Sequence, residues 1–175
     1  MRTTKKLTVS AMATALGAAL MALGAAVEVI DMALAALASL LIIIIIIEVG
    51  QPYPWLVWLS TSLITFLLSI FMESTVWLMY FVFGVFPIIK LYVEKLRRGF
   101  WLLLKLVYVN LCIIGLAFAL ELIFGLPRFE TDPLILKVGI YIFSNVAFLM
   151  YDRLLTLASR IYFEKLRPRF RTFFK

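Results

Sequence analysis

Lys137, Tyr141 and Asn145 recur every four residues in the stretch LKVGIYIFSN. On a helix that spacing puts an ammonium, a phenol and an amide on one face. Such a stripe in an apolar run can hold a small heterocyclic ligand through hydrogen bonds and ring contacts. Other residues could join it. Glu73 and Trp77 in FMESTVWLMY are four apart, Tyr80 follows, and Glu121 interrupts the apolar run GLAFALELIF. Ionisable groups at membrane depth are expensive and usually face the interior of a bundle. A plainer reading stays open beside the ligand site: Glu121 pairs with Lys137 between adjacent helices, and the aromatic residues line the membrane interface.

Chemistry beyond binding has few instruments. The 175 residues include no histidine and one cysteine, Cys112. The commonest general base and the commonest transition-metal ligand are therefore missing. No intrachain disulfide can form. No Gly-rich phosphate loop and no nucleophile with a plausible base is visible. The expectation is a protein without catalytic residues, metal or cofactor.

The elements that must position these residues follow from composition. The chain is 65% hydrophobic, with a mean hydropathy of +1.07. Soluble domains are about 45–50% apolar. An excess of this size predicts an all-α integral membrane protein whose outer surface is solvated by lipid. About 20 apolar residues cross the hydrocarbon core as a helix, and six stretches qualify: 7–27, 32–49, 53–71, 75–91, 100–124 and 134–157. They form one membrane domain, followed by a tail over 158–175. The run Ile42 to Ile47 has β-branched side chains that disfavour helix in water. A strand in lipid would leave its backbone groups unpaired, so helix is expected there too. Gly50, Pro52 and Pro54 separate the second and third spans. Gly125, Pro127 and Pro133 bracket the loop between the fifth and sixth, and Pro87 should kink the fourth. The basic N-terminus followed by an apolar run resembles a secretory signal, but the first segment is read as a retained span.

Positive charge sets the orientation. Arg2, Lys5 and Lys6 precede the first span, Lys90, Lys95, Arg97 and Arg98 surround the loop after the fourth, and Arg153, Arg160 and the tail follow the sixth. An even number of spans places all three clusters on one side, which predicts an N-in/C-in topology in a bacterial plasma membrane. The net charge of +7 then reflects this bias and predicts no nucleic-acid partner. The tail EKLRPRFRTFFK interleaves Arg with Phe and is expected to dock on anionic lipid, with Phe170, Phe173 and Phe174 entering the interface. Trp55 and Trp58 fit an aromatic belt. Glu48 is expected to be solvated. Asp152 and Arg153 are expected in an ion pair with the cytoplasmic loop, and Asn110 in a hydrogen bond to a neighbouring helix.

The first span, AMATALGAALMALGAAV, uses the smallest side chains. Ala11, Ala15 and Ala19 form one row, and Ala18, Ala22 and Ala26 an adjoining one, with Gly17 and Gly24 between them. Small residues let helix backbones approach closely in lipid. Two uses stay open: packing inside the bundle, and docking of a separate membrane protein.

KKLTVSAMATALGAAL resembles the first helix of the substrate-binding S components of energy-coupling factor (ECF) transporters, which carry an Ala-xxx-Ala pattern behind a short basic N-terminus. Ala11 and Ala15 match it and Ala19 extends it. The six-span count, the chain length and LAALASLLIIIIIIEVG are similar too. The resemblance implies an S-component-like bundle that captures a vitamin or similar micronutrient from outside. It implies partners as well: a transmembrane coupling subunit that contacts the alanine face, and two cytoplasmic ATPases. The chain departs from the family in its short GAAVEVIDMA segment between the first two spans, where a ligand cap is often longer. No vitamin-specific motif is present, and the lack of histidine disfavours the nickel and cobalt branch. The rival reading is a non-catalytic scaffold or assembly protein that binds other membrane proteins through the same alanine faces.

Overall fold

The computed structural model describes residues 3–72, 74–96, 98–124 and 134–168. Six long helices run through them: α1 (Thr3–Ala26), α2 (Asp31–Glu48), α3 (Tyr53–Met72), α4 (Val76–Val93), α5 (Arg98–Phe124) and α6 (Leu134–Ile161). A 3-10 turn at Glu28–Ile30 leads into α2, and a single π turn, Tyr162–Leu166, extends α6. No strand occurs among the described residues. The isoleucine run is helical, within α2.

All six helices are long and apolar enough to cross a membrane. The shortest, α2 and α4, have 18 residues each. At about 1.5 Å per residue they reach roughly 27 Å, close to the thickness of a hydrocarbon core. Their outward side chains agree with that solvent. Leu111 is 64% exposed and Phe143 73%. An apolar surface of this extent marks a multi-pass membrane protein.

Local chemistry explains where the helices begin and end. Asp31 opens α2, its carboxylate accepting the Met32 N–H, where negative charge suits the helix dipole. Gly50 has φ +79° and donates its N–H back to the Ile45 carbonyl at 3.0 Å, the bond that closes a helix through a left-handed residue. Pro54 then lies in the first turn of α3, where a missing N–H costs nothing. Ser74 accepts the Val76 N–H at 3.3 Å and caps α4. α4 is assigned as one helix through Pro87.

The chain divides into two compact units. One comprises residues up to Leu91 together with those from Leu155 onward; the other is Tyr92–Leu154. In the first unit α1 packs against both α2 and α3. The contacts are close because glycines permit them. A Cβ added at Gly17 would lie 3.1 Å from the Thr61 methyl of α3 and 3.9 Å from Leu41 of α2. One added at Gly24 would lie 3.2 Å from Val76 of α4 and 3.5 Å from the Asp31 Cα. Gly84 of α4 is tighter still: its Cβ would meet the Trp58 ring at 2.8 Å and the Tyr80 ring at 3.1 Å. Trp58 is held there by Phe81, with ring centroids 4.9 Å apart, and by a 3.3 Å bond from its indole N–H to the Phe81 carbonyl.

Gly84→Leu should therefore cost about 1–3 kcal/mol, the range for overfilling a packed site. Gly115→Leu, where a Cβ meets nothing within 4 Å, should change stability by less than about 0.5 kcal/mol. Reversible unfolding in mixed micelles distinguishes the two, and equal effects would remove Gly84 as a packing constraint.

Candidate functional site

The second unit holds the polar centre of the sixth span. On α6, Asn145 is half-buried, and its amide nitrogen donates to the Asn110 side-chain oxygen on α5 at 3.1 Å and to the Tyr141 carbonyl at 2.9 Å. The expected bond from Asn110 to a neighbouring helix is therefore made, and its partner is a residue expected in the ligand site. Tyr141 is 42% exposed. Glu121 is half-buried on α5. Lys137 occupies the second turn of α6, but its side chain lies outside the described residues, as does Glu73 altogether.

Trp77 and Tyr80 belong to the first unit. Trp77 is half-buried and packs edge-on against Phe66 of α3, with centroids 5.0 Å apart and planes at 76°. Tyr80 is 1% exposed, its ring set against Gly84. Both aromatic residues are thus engaged with their own unit, one at the α3–α4 contact and one in the core.

The alanine rows of α1 are now distinguishable. Gly17, Ala18, Met21, Gly24 and Ala25 are buried. Ala11, Ala15 and Ala19 are all exposed. Ala11 and Ala15 line one wall of a groove of about 330 Å³ between α1 and α3, whose other wall includes Tyr53 and Ile64. Ser10 also lines this groove, and its hydroxyl is buried with no hydrogen-bond partner among the described residues.

Two lysines are buried within the helices: Lys105, which the charge pattern does not single out, and Lys90, counted above in the basic cluster of the loop. Lys105, on α5, is 6% exposed; its ammonium lies 2.8 Å from Asp152 of α6 and 3.3 Å from Glu94 in the turn before α5. Trp101 lies one turn earlier, its ring centroid 6.0 Å from the same ammonium. Asp152 is 9% exposed, so this pair is desolvated and each charge needs the other. Glu94 is more open and contributes less. Asp152 thus meets a lysine of the neighbouring helix, and Glu94 brings the connecting turn to the same ammonium. The available signal was a lysine inside the apolar run FWLLLKLVYV, four residues after a tryptophan. In the first unit Lys90 is likewise buried and donates to the Thr156 hydroxyl at 2.6 Å. Glu48, expected to be solvated, instead has a buried side chain and pairs with the Arg167 Nε at 3.0 Å. The extension of α6 past Ile161 brings that arginine to the end of α2.

Chemically, the second unit offers an amide pair and a compensated ionic cluster, and the first unit a largely apolar groove that includes the Ser10 hydroxyl. Lys105→Met should destabilise the fold by about 3 kcal/mol or more, because it leaves the Asp152 carboxylate buried without its ammonium. The double variant Lys105→Met/Asp152→Leu should regain most of that loss. Additive losses in the double-mutant cycle would mean that the pair is not coupled.

No protein-family model, no curated protein and no solved structure matches the chain.

Proposed function

We propose that this protein is the membrane-embedded binding subunit of an uptake transporter for a small, vitamin-like solute, similar to an ECF S component. In this reading it lies N-in/C-in in a bacterial plasma membrane. A separate coupling subunit carrying two ATPases docks on the alanine face of α1, and the basic-aromatic tail rests on anionic lipid.

The observation that carries the reading is the division of α1 into two small-residue faces. Gly17, Ala18 and Gly24 are used up in packing within the bundle. Ala11, Ala15 and Ala19 remain exposed along the helix. An exposed small-residue row is one that an incoming helix could approach closely. The unpartnered Ser10 hydroxyl beside it offers such a helix a hydrogen bond.

A second reading, a scaffold that binds only other membrane proteins, is favoured by a different observation. Asn145 already bonds Asn110, and Tyr141 lies at the surface, so the stripe on α6 has less to offer a solute.

The test is affinity purification from native membranes in mild detergent with identification of co-purifying proteins. A coupling subunit with ATPases should be recovered with the native chain. Ala11→Trp/Ala15→Trp should reduce that recovery at least about tenfold, equivalent to the loss of about 1.4 kcal/mol of docking energy. Its melting temperature should be unchanged, while Ala18→Trp, on the buried face, should unfold the bundle. Undiminished recovery with the tryptophan pair would remove the docking role. Recovery of envelope-assembly proteins, together with solute uptake unaffected by Lys137→Ala and Asn145→Ala, would establish the scaffold.

A further inference from the structure

In the second unit, α5 and α6 diverge around a groove of about 480 Å³. One end is polar: Trp101 and Lys105 come from α5, Asp152 and Arg153 from α6. The rest is apolar and faces outward, with Leu102 57% and Met150 70% exposed. We propose that this groove binds the headgroup of one anionic phospholipid, with Arg153 holding its phosphodiester and the acyl chains lying over Leu102 and Met150.

Charge accounting selects the ligand. Lys105 is committed to Asp152 at 2.8 Å and to Glu94 at 3.3 Å. Arg153 is exposed and has no partner among the described residues. With the Lys105 ammonium taken up by these two carboxylates, the cation the groove has to offer a phosphodiester is the Arg153 guanidinium. A guanidinium grips phosphate through two parallel N–H bonds, which an ammonium cannot do. The indole of Trp101 donates its N–H to the Leu96 carbonyl at 2.8 Å, so it shapes the groove and leaves the phosphate to the arginine. Tryptophan at this depth marks the headgroup level. A soluble phosphate would find no use for the exposed aliphatic wall, whereas a lipid covers it. No residue of the basic tail lines the groove, and the proposal stands whether or not the protein belongs to a transporter.

The experiment uses the full chain, purified in detergent and stripped of lipid. It is titrated with phosphatidylglycerol or phosphatidylcholine, and bound lipid is counted by native mass spectrometry. The native chain should retain one phosphatidylglycerol in preference to phosphatidylcholine. Arg153→Gln should weaken phosphatidylglycerol binding roughly fivefold or more, the scale of one cation at a lipid surface. Arg160→Gln removes another exposed cation of α6, one that does not line the groove, and should leave that binding intact. Both positions are exposed, so both variants should melt as the native chain does. Equal binding of the two lipids, or equal effects of Arg153→Gln and Arg160→Gln, would overturn the proposal.

Discussion

The approach of α1 to its neighbours at Gly17 and Gly24 is the contact on which the first unit rests. Lipid is as apolar as leucine, so burying apolar side chains does little to draw helices together there. What remains is dispersion and shape, which depend on how closely two backbones can come. At Gly17 the space beyond the backbone is filled by Thr61 and Leu41, and at Gly24 by Val76 and Leu34. A larger residue at either point would push α1 away from α2, α3 and the start of α4. The same helix turns Ala11, Ala15 and Ala19 outward. One small-residue row is consumed by the fold, and the other stays exposed.

The second unit is tied by a different device. Asn145 and Asn110 bond across α5 and α6, and Lys105 and Asp152 do the same with charge. Amide bonds of this kind contribute modestly in membranes, about 0.6 kcal/mol on average. A desolvated ion pair adds little net stability when intact but is costly to break. Its effect is therefore selective: any register of α5 against α6 that separated Lys105 from Asp152 would break a desolvated ion pair. Glu94 extends that constraint into the connecting turn. Lys90 with Thr156, and Glu48 with Arg167, give the first unit polar ties of its own between elements distant in sequence.

These ties alter how the polar residues should be weighed as ligand contacts. A polar side chain in an apolar span must find a partner, and most of those described here have found one in the protein. Asn145 is engaged, and Tyr80 is sealed into the core. Two polar groups without a described partner line grooves, the Ser10 hydroxyl and the Arg153 guanidinium. Both border grooves with apolar walls that open outward.

Helix number was legible in the sequence, because it depends on local properties. Hydropathy over about 20 residues, together with Gly50 and Pro54 between the second and third spans, specifies it without reference to distant parts of the chain. Helical spacing likewise put Ala11, Ala15 and Ala19 in one row and Lys137, Tyr141 and Asn145 in another. What spacing could not reveal is which row meets which neighbour, since α1 carries small residues on more than one face. Only the packing of Gly17 against Thr61 determined that the alanine row is the outward one. The partners of Lys105, Glu48 and Asn145 were hidden for the same reason. Lys105 and Asp152 are 47 residues apart, and nothing in either local sequence names the other. Sequence determined the helices, and tertiary structure decided which of their polar groups are already satisfied, because satisfaction depends on distances between helices that local composition does not encode.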